Sequence, residues 1–265
     1  MVVTLSLAVL AAMAAVMVCA WAYGLARKNG GWTDVFWTFG TGLSLAAAAL
    51  FPLEPGAAPA PRQWLVAGLV ALWALRLGTY IAPRVAAHPE DPRYAKFRQD
   101  WGQAYPRNML FVTLPQAPAS ALLALSVLIA ARAPGHDLAL RDVLGVAVLL
   151  IAIGGEGLAD AQMKLFKAQA ANRGKVADLG LWGWSRHPNY FFEWLGWLAY
   201  PVIGLDPARP FTWLSFTAPA VMFLLLTRVS GIPPLEAAQL ASKGEAYRRY
   251  QQRVSAFFPL PPKTS

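Results

Sequence analysis

The sequence predicts an all-α integral membrane protein with seven transmembrane helices, its N-terminus outside and its C-terminus cytosolic. Three observations lead there. Hydrophobic residues make up 57% of the 265 and charged residues only 14%, well below the roughly 25% usual for soluble domains. The apolar residues come in long runs, several near the ~20 residues an α-helix needs to cross about 30 Å of hydrocarbon. The basic residues crowd into alternate connections and are sparse in the others.

The expected spans run from about Val2 to Leu25, Thr33 to Leu53, Trp64 to Pro83, Met109 to Ala131, Val143 to Met163, Tyr190 to Gly204 and Phe211 to Val229. The runs are Ala- and Leu-rich rather than short and alternating, which speaks against a β-barrel. The first lacks a basic n-region and is longer than a signal-peptide core, so it reads as a helix and not a cleaved leader. The sixth is short and opens on polar residues, as a tilted helix or one starting inside protein would. The whole chain, 1–265, reads as one seven-helix domain.

Eighteen of the 23 basic residues lie in four segments. Arg27 and Lys28 follow the first span. Arg84, Arg93, Lys96, Arg98 and Arg107 follow the third, and Lys164, Lys167, Arg173, Lys175 and Arg186 the fifth. Arg228, Lys243, Arg248, Arg249, Arg253 and Lys263 belong to the tail. The other connections hold only Arg62, Arg132, Arg141 and Arg209. Basic residues accumulate on the cytosolic side, which sets the orientation and requires an odd number of spans. The net charge of +9 is thereby explained by topology, and no nucleic-acid partner is expected. The single cysteine, Cys19, leaves no disulfide and no metal cluster, and reads as a small hydrophobe. Residues 90–103 and 236–253 read as polar helical pieces at the membrane interface, with aromatics interleaved among basic groups.

Ionisable groups in or beside a span are costly and need a reason. Arg76 lies inside the third span, and Arg76, Tyr80 and Arg84 follow at i, i+4 and i+8, one stripe on one face. A structural ion pair or a contact to an anionic ligand would each explain Arg76. In the fifth span Glu156, Asp160, Lys164 and Lys167 keep helical spacing. Asp160 and Lys164 form an ordinary stabilising i, i+4 pattern, whereas Glu156 lies deeper. Asp34, near the start of the second span, suits a helix N-terminus. The densest signal is GLWGWSRHPNYFFEWLGW, residues 180–197. It gathers Ser185, Arg186, His187, Asn189, Tyr190 and Glu193 around Pro188, a residue that favours a helix start. Such a start with Arg and His beside it can hold an anion.

The segment SRHPNYFFE resembles the C-terminal signature of the steroid 5α-reductase-like integral membrane reductases, in particular a bacterial branch of uncharacterised proteins. RLGTY, EDPRY, EGLADAQMKLFK, SGIPPLE and GEAYRRYQQRVSAFFP are similar in the same order, and the reductase-like C-terminal region covers about 141–265. The resemblance implies NADPH-dependent reduction of an activated C=C bond in a lipophilic enone, a 3-oxo-Δ4 steroid being one. It assigns nucleotide contacts to Arg76, Tyr80, Arg84, Asp160, Lys167, Lys175, Asn189 and Glu193. Lys164, Arg186, His187 and Tyr190 join these as cofactor-binding candidates. It implies a bacterial inner-membrane location with the cofactor site facing the cytosol. The family's carbonyl-binding tyrosine aligns with Trp73 and its substrate-side acid with Asp34. Asp34, Trp73 and Tyr80 are therefore the catalytic candidates, as donors to the oxygen where negative charge develops. No metal is expected, and the partners are membrane lipid and a lipophilic substrate. A membrane methyltransferase using S-adenosylmethionine is the alternative, since its relatives carry versions of RHPNY. A lipid-binding or assembly protein is a third reading.

Overall fold

A computed structural model describes residues 1–135 and 137–263. Among these the regular structure is helical, apart from one isolated bridge between Ser185 and Ser255. The helices are α1 (Val2–Ala26), α2 (Trp32–Ala49), α3 (Pro61–Ala87), α4 (Pro92–Trp101), α5 (Tyr105–Thr113), α6 (Gln116–Ala131), α7 (Leu140–Ala168), α8 (Pro188–Trp197), α9 (Ala199–Gly204), α10 (Thr217–Leu224), α11 (Ile232–Lys243) and α12 (Glu245–Arg253). Among the described residues five helical stretches are long and apolar enough to cross a membrane: Val2–Ala26, Pro61–Ala87, Arg93–Ala131, Leu140–Ala168 and Pro210–Lys243. Their large exposed apolar side chains, Leu7 on α1 and Ile151 on α7 among them, are what hydrocarbon solvates and water does not.

Five stretches rather than seven meet that description, for two local reasons. Helix α2 has 18 residues, about 27 Å, and it begins with a carboxylate, Asp34. The expected sixth span is broken at Leu198 into α8 and α9. Pro201 has no N–H to give the Trp197 carbonyl, so the helical ladder lapses there. The same chemistry divides α5 from α6 around Pro115 and Pro118. The Pro210–Lys243 stretch changes winding along its length, from a 3-10 segment (Pro210–Phe216) through α10 to a π turn (Leu225–Val229). The polar piece expected at 236–253 is two helices. Gly244, at φ +53°, ends α11 and starts α12, a backbone setting that glycine adopts without steric cost.

The chain divides into two compact units. The first comprises Met1–Val143 and Tyr200–Ala218. Its core is built by α1, α2, α3 and α6, with Met13, Met17, Leu45, Val66, Val70, Trp73, Leu123 and Val127 buried. Helices α2 and α3 approach so closely that a Cβ on Gly42 would overlap Ala74 and one on Gly78 would overlap the Phe39 ring. One end is tied by Arg62, 2% exposed, whose guanidinium holds Asp142, 1% exposed, at 2.8 Å. Arg62 also donates to the carbonyls of Ala133, Pro134, Gly135 and Asp137. At the same end the Gln63 amide donates to the Ala49 and Phe51 carbonyls and so caps α2. Cys19 is exposed on α1.

The second unit comprises Leu144–Ala199 and the chain from Pro219 onward. Helices α7 and α8 pack where Gly155 admits the Phe192 ring. The 3-10 turn Gly180–Gly183 is pinned to α7 by the Trp182 indole on the Ala159 carbonyl, 3.0 Å, and by Gln162 accepting from the Leu181 amide. Phe191, Trp194, Phe223, Phe257 and Phe258 form one edge-to-face cluster, which holds the C-terminal segment against α8.

Candidate functional site

The RHPNY run builds its local structure from three short contacts. The Ser185 hydroxyl donates to the Phe257 carbonyl at 2.8 Å and accepts from the His187 amide. The Arg186 amide donates to the Ser255 carbonyl. Pro188 then opens α8, its missing N–H falling where a helix leaves an orphan donor anyway.

Arg186 and His187 converge on a residue from another motif, Glu236 of SGIPPLE. Arg186 places Nε 2.6 Å from Oε1 and Nη2 3.2 Å from Oε2 of Glu236. His187 Nε2 lies 3.3 Å from the same Oε1, and the Gln251 amide donates to Oε2. Arg186 Nη1 donates to the Gln251 and Val254 carbonyls. Tyr247 completes the ring of partners around Oε1. Burial, aided by the Glu236 carboxylate, pushes the Tyr247 phenol well up, so it stays a donor. This carboxylate went unnoticed at the sequence level. The available signal was charge balance: Glu236 is the only acid between Asp206 and Glu245 in a strongly basic tail. Arg186 and His187 thus belong to a fork that fixes the motif to α11 and α12, with the bidentate geometry that favours Arg.

Glu193 is buried, one turn along α8, and accepts from the Trp197 indole at 3.1 Å. Asn189 is half-buried in the first turn of α8, and its side-chain amide makes no hydrogen bond among the described residues. Tyr190 stacks on the His187 ring, 5.6 Å between centroids. On α7, Glu156 and Asp160 are buried, while Lys164 and Lys167 are exposed. The expected Asp160–Lys164 pair is not formed, since Lys164 makes no ion pair among the described residues. Lys175 is exposed beyond α7. Within this unit α8 carries the open Asn189 amide and the buried Glu193, α7 the buried Glu156 and Asp160, and Lys164, Lys167 and Lys175 are exposed beyond them.

In the first unit, Arg76, Tyr80 and Arg84 do form one stripe on α3. Both guanidiniums lie over the exposed Tyr80 ring, each 5.6 Å from its centroid, a cation–π arrangement. Trp73 is buried, edge-on to Trp37. Asp34 accepts from the Tyr94 hydroxyl at 2.9 Å and from Arg93 at 3.3 Å. Both partners come from EDPRY, which docks onto the start of α2. Glu90 of the same motif accepts from the Gly30 amide at 2.6 Å and binds Arg98 bidentately. Asp91 accepts from the backbone amide of Arg93, capping α4. Burial pushes the Asp91 carboxyl up, but the hydrogen bonds and charge of Arg93 outweigh it and hold the group below the usual carboxylate range. Among the described residues no cluster of His, Cys, Asp and Glu could hold a metal ion.

No curated protein matches the chain, and neither does any solved structure. A family model described as "Protein of unknown function (DUF1295)" matches residues 20–254, which takes in every motif above except the last five residues of GEAYRRYQQRVSAFFP. This chain belongs to that family.

Proposed function

We infer that this chain is a seven-span membrane reductase, N-terminus outside, that uses NADPH to reduce the activated C=C bond of a lipophilic enone, a class that includes 3-oxo-Δ4 steroids. The observation that carries the reading is the SRHPNYFFE run, with its likeness to the steroid 5α-reductase signature and its open Asn189 amide one turn from the buried Glu193 carboxylate. That donor set fits a nicotinamide carboxamide. Asn189 offers a donor and an acceptor, and Glu193 can accept from an amide N–H. Lys167 and Lys175, both exposed, supply charge for phosphates. Bound NADPH would supply a hydride to the β-carbon of the enone.

The protein's own task is then orientation and charge. Asn189 and Glu193 would fix which face of the ring is presented. A hydrogen-bond donor must meet the carbonyl oxygen as it gains negative charge. Of the three candidates Tyr80 is the best supported, because its exposed phenol lies beside two guanidiniums. Asp34 is occupied as an acceptor by Tyr94 and Arg93, and Trp73 is packed in the core. Asp34 then serves the reaction by holding EDPRY in place.

Nucleotide binding to purified protein tests the reading. NADPH should bind and be oxidised on an enone panel. Binding of S-adenosylmethionine alone would replace it with the methyltransferase reading, and binding of neither would leave a lipid-binding protein. Topology is tested separately. With Cys19 replaced by alanine, a cysteine at Lys263 should react only from the cytosolic side, in an inner membrane of a bacterium; labelling from outside would overturn the orientation.

A further inference from the structure

The second unit carries a cavity of about 420 Å³ lined by Asp178, Gly180, Gly183, Trp184, Arg253 and Pro262, among others. None of these residues belongs to the set assigned above to cofactor or substrate. Two features of its rim stand together. Arg253 Nη2 and Asp178 Oδ2 form an ion pair at 2.6 Å, with side chains 45% and 40% exposed. Beside them Trp184 and Leu179 are exposed apolar side chains, 49% and 70%. A large indole next to a charged pair is the signature of the headgroup level of a bilayer, where one side of a ligand is apolar and the other wet.

The walls of the cavity are held by contacts that do not involve the ion pair. Gly180, at φ +60°, turns the chain here, and a Cβ at this position would overlap the Gln162 amide. The C-terminal segment closes the other side through Leu260 donating to the Trp184 carbonyl and Lys263 to the Arg253 carbonyl. Tyr250 donates to the Trp182 carbonyl from below. The hollow is thus bordered by hydrogen-bonded backbone and is large enough for a small polar ligand.

We propose that this cavity is a binding site for the headgroup of a zwitterionic phospholipid bearing a primary ammonium, the phosphodiester on Arg253 and the ammonium on Asp178. Charge complementarity selects this occupant. The site offers one cation and one anion, so a singly charged headgroup would leave one of them without a partner. An exposed ion pair contributes little by itself, so exchanging it for two ligand contacts costs little. The acyl chains would leave along Trp184 and Leu179, whose apolar surfaces they cover. Guanidinium suits the phosphodiester because its fork matches two oxygens, and a carboxylate accepts from an ammonium N–H that a quaternary choline lacks. The site is independent of the reductase reading and stands or falls apart from it.

The test is lipid competition on the full-length protein. The purified chain is placed in nanodiscs of equimolar phosphatidylethanolamine, phosphatidylcholine and phosphatidylglycerol, released, and its retained lipid counted by native mass spectrometry. Phosphatidylethanolamine should be enriched about two- to five-fold over both others, the size expected of exposed charge contacts. Arg253→Gln and Asp178→Asn, each checked for an unchanged melting temperature, should each abolish the enrichment. Equal retention of the three lipids by the wild-type protein, which needs no variant, would overturn the proposal. So would a preference that survives both substitutions in folded protein.

Discussion

Arg186 lies flat against Glu236, with Nε 2.6 Å and Nη2 3.2 Å from its two carboxylate oxygens, and that contact fastens the RHPNY motif to the helical tail. The pair is 11% and 14% exposed, so neither charge could turn to water if the other were lost. Removing one partner of such a pair is costly because the remaining charge stays buried. Glu236→Gln should therefore lower stability by about 3 kcal/mol, read as the unfolding free energy in mild detergent. Arg186→Gln should cost a similar amount, and the double variant less than the sum, since both belong to one network. Additive losses would show that the two side chains do not depend on each other.

The Arg62–Asp142 pair is the first unit's counterpart, more deeply buried and without any assigned role in chemistry. Arg62→Met removes the charge and also frees the carbonyls of Ala133, Pro134, Gly135 and Asp137. A loss of about 3–5 kcal/mol is expected, with nucleotide affinity of the folded fraction unchanged. Affinity falling in step with stability would contradict a purely structural role.

Glu193→Gln separates orientation from support. Glutamine keeps an oxygen for the Trp197 indole, and the melting temperature, measured beside turnover, reads any loss of support. Turnover should fall by ~10²-fold if the carboxylate positions the nicotinamide, in line with other positioning losses. A folded variant that turns over at the wild-type rate would remove Glu193 from the site.

Nucleotide preference tests the exposed lysines. Lys167→Ala and Lys175→Ala disturb no buried contact and should leave stability unchanged. One or both should reduce the preference for NADPH over NADH by roughly ten-fold or more, the worth of a charge-assisted contact to the extra phosphate. Direct titration with both nucleotides reads this. Equal wild-type affinity for the two would count against the cofactor assignment.

Asp91 supplies a pH dependence with a definite sign. Its folded carboxyl lies below its ordinary value, held there by Arg93 against the opposing effect of burial. Such a group stabilises the fold at pH above its unfolded value, about 3.9, and that contribution is lost as pH falls through the lower folded value. Asp91→Asn keeps the side-chain oxygen that caps α4 but not the charge. The variant should be about 1 kcal/mol less stable at neutral pH and should converge with the wild type in acid. A difference that persists unchanged at pH 3 would exclude this origin.

The contacts made by EDPRY and SGIPPLE are not legible in the sequence, for a shared reason. SGIPPLE and EDPRY each place a carboxylate beside prolines at the end of an apolar run, yet their partners lie about 50 and 60 residues away in sequence. Glu236 reaches Arg186, and Arg93 and Tyr94 reach Asp34. Helical periodicity informs on i+3 and i+4 neighbours and is silent on such distant contacts. The Asp160–Lys164 spacing illustrates the converse: a permitted local pair that is not made, because Asp160 is buried and Lys164 is exposed.

What the sequence alone determined is the solvent of each segment. Long apolar runs must be helices that satisfy their own backbone groups, and Pro and Gly mark where those helices stop, as at Pro188 and Gly244. The stripe of Arg76, Tyr80 and Arg84 was likewise readable, since a helix carries i, i+4 and i+8 on one face. Only the tertiary structure decided which charges are spent on holding the fold. Arg186 and His187 read as anion-binding groups by residue type and Asp34 as a substrate-side acid by resemblance, and each has a protein partner. Asn189, by contrast, keeps its amide open. Residue type sets what a side chain can bond to, but burial and the reach of distant helices decide whether that capacity is already used.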